Sequence, residues 1–152
     1  MDKINFLKNE FPKLLQQLKP DAKGNWGVMN GQQMVEHMSE MFRNANGKLK
    51  VPLHTPVDKV EVFKAFALSD KEFKQNTKNP ILSETPYPVR NNTMQLAIEE
   101  MQNEIDDFFH YFEKHPDSSN LNPIFGELNF EGWVSLLYKH TLHHARQFGL
   151  VM

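Results

Sequence analysis

Residues 92–116 read NTMQLAIEEMQNEIDDFFHYFEKHP, and the fold turns on them. Ile98, Met101, Ile105, Phe108 and Phe112 recur in a 3-4-3-4 rhythm, which sets them on one face of an α-helix. Glu99, Glu100, Asn103, Glu104 and Asp107 supply the wet side. Asn92 with Gln95 three residues on has the form of a capped start, and His115-Pro116 ends the run.

The same pattern extends outward. Residues 2–18 carry Ile4, Leu7, Phe11, Leu14, Leu15 and Leu18 at helical spacing, with a kink or restart predicted at Pro12 and a stop at Lys19-Pro20. Residues 30–47 begin with Asn30 as N-cap and Gln33 three residues later, then place Met34, His37, Met38, Met41 and Ala45 along one face before Gly47. The last helix spans about 130–148, started by Asn129 and stopped by Gly149. Between the second and third helices, Pro52, Pro56, Pro80, Pro86 and Pro88 punctuate a long connection. A connection of that length is functional or carries structure of its own. Val57–Phe66 is expected as a short helix, and Ser69-Asp70-Lys71-Glu72 as the capped start of another turn. The segment 50–90 suits either a lid or a dimerisation arm. No strand alternation and no internal repeat is visible. The expected fold is all-α: a four-helix bundle in a single domain, 1–152, with the long connection between helices 2 and 3.

Composition narrows the function. The 152 residues carry 17 Lys+Arg against 19 Asp+Glu, a net charge of −2, so no basic excess exists to neutralise phosphates and a nucleic-acid partner is not expected. No apolar run is long enough to span a membrane, and the charge-punctuated N-terminus lacks the apolar core of a signal peptide. Cysteine is absent, which removes disulfides, thiolate ligands and cysteine nucleophiles together. Cytoplasm is the expected compartment.

Seven histidines remain to be placed. At about 100° per residue, with Trp133 at zero, Leu136, Leu137, His140, His144, Gln147 and Phe148 fall within about 60° of one direction. Lys139, Leu142 and Arg146 point away, and His143 lies at the flank. The i, i+4 pair His140 and His144 stacks two imidazoles about 6 Å apart at their attachment points. His37 takes the inward face of helix 2. Three imidazoles from facing helices form either a three-histidine metal site with an open coordination position or a packed, hydrogen-bonded histidine cluster. His54, His110 and His115 are expected to be solvated. Gln147 is a candidate to hydrogen-bond a ligand histidine, His143 a candidate proton shuttle, and Trp133 and Met41 candidate pocket residues alongside Trp26, Phe42, Phe125 and Phe148. Glu36 and Glu40 do not point inward.

The stretch Trp26-Gly27-Val28-Met29-Asn30-Gly31-Gln32-Gln33-Met34-Val35-Glu36-His37 resembles the start of the second helix in DinB/YfiT-like proteins. Asn122-Pro123-Ile124-Phe125-Gly126-Glu127-Leu128, followed by Trp133, His140, His144 and Gln147, is similar to their last helix and its lead-in. The resemblance covers nearly the whole chain, loosely over 49–90. It implies a four-helix bundle holding a divalent ion, zinc or nickel, on His37, His140 and His144. It also implies a small-molecule substrate and either hydrolysis or transfer of a low-molecular-weight thiol such as bacillithiol or mycothiol, often in a homodimer. Three neutral imidazoles leave an ion its full positive charge, which acidifies bound water or favours a bound thiolate. A non-catalytic metal- or ligand-binding bundle is the alternative.

Overall fold

Pro12 has no amide hydrogen to give, and its ring collides with the carbonyl four residues back, so a regular helix cannot run through it. In the computed structural model of the chain, which describes residues 2–75 and 86–152, the segment divides accordingly. It runs as α1 (Lys3–Asn5), a π-helical turn (Phe6–Glu10) and α2 (Phe11–Leu15), and the Phe11 amide donates five residues back to the Phe6 carbonyl. The predicted kink is thus a π-bulge, a local widening rather than a break.

α3 (Gly31–Ala45) begins with the expected capping box. Gln33 N–H donates to Asn30 Oδ1 at 2.8 Å and Asn30 N–H to Gln33 Oε1 at 2.9 Å. After a 3-10 turn at Val57–Lys59 comes α4 (Val60–Leu68), followed by α5 (Met94–Lys114) and α6 (Phe130–Gln147). The start of α5 corrects the sequence reading: Thr93, not Asn92, is the cap, accepting from Leu96 N–H at 3.1 Å. Both residues are good N-caps, and the neighbour one position on takes the role. α6 starts at Asn129 as predicted and ends where Gly149, at φ 69°, lets the Leu150 amide reach back to the Ala145 carbonyl at 2.8 Å.

The all-α expectation also needs correction. β1 (Asn120–Asn122) pairs antiparallel with β2 (Gly126–Leu128), Leu121 opposite Glu127. Three-residue strands are too short for alternation to register in a sequence. The structure is therefore mostly helical with one small hairpin. Leu7, Phe11, Leu15, Met34, Met38, Phe42, Met101, Ile105, Phe108, Trp133 and Leu137 fill a shared core between α1 to α3, α5 and α6. Among the described residues no helix is long and apolar enough to cross a membrane.

The long connection is tied down at both described ends. Thr55 Oγ1 donates to the Ile124 carbonyl at 2.7 Å, which holds its start against the hairpin loop. α4 then packs on α6, where Ser135 Oγ donates to the Ala67 carbonyl at 2.8 Å. Ser69 does not start a helix: it ends α4, donating to the Phe66 carbonyl at 2.7 Å and accepting from Lys71 N–H at 3.2 Å. Pro80 and the rest of 76–85 lie outside the described residues.

Three charged side chains sit where periodicity did not put them: Lys139, Glu36 and Glu104. Glu104, read as part of the wet side of α5, is only 6% exposed and accepts from Lys48 Nζ at 2.8 Å and from Asn46 Nδ2 at 3.0 Å. Lys139, expected on the wet side of α6, is only 6% exposed; its ammonium donates to the Ser69 carbonyl at 2.9 Å, also reaches the Lys71 carbonyl, and lies over the Phe66 ring. α4 and the chain after it cover that face, so the outer side of α6 is not solvent. Glu36 is likewise buried. Its carboxylate accepts from the Arg90 and Asn91 amides at 2.7 and 3.0 Å, from Asn91 Nδ2 at 3.1 Å and from Gln32 Nε2 at 3.2 Å. Burial alone would raise this carboxyl, but the amides outweigh it and hold the group below its ordinary value. Glu36 thereby fastens the end of the connection to α3, just ahead of α5.

Candidate metal centre

α3 carries His37 and α6 carries His140 and His144, and packing of these helices brings the three rings together. Ring centroids lie 5.0 Å apart for His37 and His140, 5.2 Å for His37 and His144, and 4.8 Å for His140 and His144. One ring nitrogen from each falls within 4.8 Å of the other two, and His37 Nε2 is 3.1 Å from His140 Nε2. A tetrahedral zinc site with Zn–N near ~2.05 Å has nitrogens about 3.3 Å apart. The His37–His140 pair, at 3.1 Å, is close to that edge, and the three nitrogens together span up to 4.8 Å.

The local chemistry supports the fit. His144 is 6% exposed; its Nδ1 lies 2.7 Å from Gln147 Oε1, and its Nε2 is buried with no hydrogen-bond partner. An unpaired buried acceptor costs about 1–3 kcal/mol, so a packed histidine cluster leaves this nitrogen a liability, whereas a metal ion would satisfy it. The donors are all imidazole, which suits zinc, nickel or copper rather than magnesium or calcium. Burial pushes the His37 imidazole down to about 4. Burial first, then neighbouring imidazoles, holds His140 and His144 well below the ordinary histidine value. All three are neutral at pH 7, as ligation requires.

These depressions set an acid sensitivity. In the unfolded chain the imidazoles take protons near pH 6.5, whereas the folded chain resists them until about pH 4 for His37. The unfolded state binds more protons in that window, so stability is full above pH 6.5 and is lost as the pH falls towards 4. The metal-free protein is expected to melt at least ~5 °C lower at pH 5 than at pH 7.5 by calorimetry, and replacing His37, His140 and His144 with leucine removes most of that difference.

The surroundings sort the remaining candidates. Gln147 is buried, 4% exposed, and donates through Nε2 to the Trp26 carbonyl at 2.8 Å. His143 is half-buried at the flank, its ring 5.5 Å from Trp26 and 5.8 Å from Phe73, and a hydrogen bond to the Phe73 backbone partly offsets the lowering of its pKa by burial. It lines a cleft of about 490 Å³ with Asn25, Trp26, Phe73 and Arg146. Trp133 is not at this site: two turns of α6 before His140, roughly 10 Å along the axis, its indole N–H donates to the Asn120 carbonyl at 3.2 Å. Met41, Phe125 and Phe148 are partly buried against the core, and Phe42 stacks edge-on to Phe108. His54, His110 and His115 are exposed, as expected.

Sequence reading missed Phe73, whose ring lies 5.8 Å from those of both His140 and His143. A lone aromatic in a loop gives no local signal of such a role. Glu36 is buried but committed to four N–H donors, and Glu40 pairs with Arg90 at 3.1 Å, so neither carboxylate is spare for the histidines. Comparison with family models, with curated proteins and with solved structures gave no match.

Proposed function

We propose that the chain is a divalent-metal-dependent enzyme of the DinB/YfiT type, with His37, His140 and His144 as ligands on a bundle formed by the α1–α2 segment, α3, α5 and α6. The observation that carries this reading is the buried, unpartnered Nε2 of His144 beside two further imidazoles from another turn and another helix. Zinc or nickel, when bound, supplies Lewis acidity towards a thiol or a water near neutral pH. The three neutral rings hold the ion without cancelling its charge. His143, at the wall of the neighbouring cleft, is positioned to pass a proton between a small substrate there and solvent. Trp26 and Phe73 wall that same cleft, their rings 5.5 and 5.8 Å from that of His143.

Between the two reactions, transfer of a low-molecular-weight thiol is favoured over hydrolysis. Activating water calls for a nearby base, and the nearest buried carboxylate, Glu36, is fully engaged by amides. A thiol is far more acidic than water, so on meeting a cation it passes its proton to solvent or to His143 without a carboxylate base.

The test is elemental analysis of untagged protein, followed by assays of the zinc- and nickel-loaded forms. About one equivalent of transition metal is expected, with turnover of bacillithiol or glutathione against an electrophile exceeding ester hydrolysis. Protein that retains neither added zinc nor added nickel sinks the proposal. Metal retention with ester hydrolysis alone would reverse the choice of reaction.

A further inference from the structure

We infer that Gln147, gripped by the turn at residues 24–27, locks His144 into the tautomer that leaves Nε2 free to bind metal; Gln147 is thus a positioning residue, an inference that rests on the three-histidine reading. The Trp26 carbonyl can only accept, so the Gln147 group 2.8 Å from it is the amide nitrogen. That fixes the amide, and Oε1 faces His144 Nδ1 at 2.7 Å. An oxygen acceptor there requires the imidazole proton on Nδ1. Nε2 is then left with a lone pair, and this is the buried nitrogen that has no partner.

The amide has little room to turn. A Cβ at Gly27 would come within 2.6 Å of Gln147 Nε2, and one at Gly24 within 2.8 Å of Gln147 Cγ. Gly27 also sits at φ +80°, a conformation side chains resist. Asn25 N–H donates to the Gln147 carbonyl at 2.7 Å, so the turn holds this residue by its main chain as well as its side chain. The two glycines let the turn lie directly on Gln147. Trp26, 121 positions from Gln147 in sequence, therefore sets which nitrogen of His144 carries the proton.

The experiment uses the full chain, first metal-free and then titrated with zinc, as native protein, Gln147→Met and Gln147→Glu. Long-range proton–nitrogen correlation spectra of the metal-free forms read the His144 tautomer directly. Native protein and Gln147→Glu, which keeps an acceptor at Nδ1, are expected with the proton on Nδ1. Gln147→Met is expected to lose that preference and to bind zinc about 10–100-fold more weakly, while Gln147→Glu stays within a few-fold of native. A merely structural role would not move the tautomer.

If Gln147→Met does not fold, Gly27→Ala displaces the same amide without touching a histidine, and a shift in the same direction supports the lock. A native His144 carrying its proton on Nε2 overturns the inference whatever the metal does. An unchanged tautomer and zinc affinity in Gln147→Met overturns it while leaving the three-histidine site standing. Native protein with the Nδ1 proton but no zinc binding overturns the site itself, and the positioning role with it.

Discussion

Replacing His144 or His140 with alanine is expected to weaken zinc binding by about 10²–10³-fold. Apparent zinc binding energies of ~10–16 kcal/mol shared over four ligands come to ~3 kcal/mol each, and that loss sets the factor. His37→Ala should behave alike, because its Nε2 lies only 3.1 Å from that of His140. His143→Ala is the control. Its ring lies 5.3 Å from that of His144, but it is hydrogen-bonded to the Phe73 backbone and lines the cleft. The cluster of converging ring nitrogens comprises His37, His140 and His144 alone among the described residues. Zinc affinity in that variant is expected to stay within about threefold of native, an effect of the size expected for a non-ligand. Competition titration with a zinc-binding dye measures all four variants. Equal losses in His143→Ala and His144→Ala would mean that the three ligands are misassigned.

The unfolding midpoint separates a lost ligand from a lost fold. Alanine at His144 removes the unpaired Nε2 together with the ring, so a buried liability goes with it. It also frees Gln147 Oε1 from its partner. The two changes oppose each other, and the metal-free midpoint should move by only a few degrees.

The histidine trio was legible because 100° per residue and a spacing of four decide it almost alone. His140 and His144 share a face with Leu136, Leu137 and Gln147, and His37 shares one with Met34, Met38 and Met41. The same arithmetic failed for Lys139, because it assumes that the face opposite the core is wet. α4 and the residues after it cover that face, and their position depends on contacts such as Ser135 with Ala67, 68 residues apart. Glu36 was read as outward for the same reason: the strap at Arg90 and Asn91 that buries it lies 54 and 55 residues away. The hairpin was invisible because neither strand is long enough to show a period. Gln147 stood out as a candidate partner for a histidine, yet what fixes its amide, the Trp26 carbonyl, has no sequence signature at all. Periodicity thus finds which residues share a face. It does not find what comes to lie upon that face.

Trp133 provides the sharpest test of that distinction. By angle it belongs with His140 and His144, and the sequence alone places it among the pocket residues. By height along α6 it is elsewhere, at 1% exposure in the core beneath the hairpin. Its ring fills the space between α6 and β1, its N–H satisfies the Asn120 carbonyl, and Asn120 in turn donates to the Ala45 carbonyl at the end of α3. Trp133→Ala is expected to cost about 3–5 kcal/mol, lowering the unfolding midpoint by roughly 10 °C or more. Trp133→Phe keeps most of the apolar contact but strands the Asn120 carbonyl, and should cost about 1–3 kcal/mol. A folded domain with ~5–15 kcal/mol to lose tolerates either variant at low temperature. Zinc affinity there should stay within about threefold of native, because sites roughly 10 Å apart with no shared partner act independently. Calorimetry and zinc titration on the same two samples check both statements. A Trp133→Ala protein of native stability with weakened zinc binding would return this residue to the metal pocket and undo the placement of the hairpin against α6.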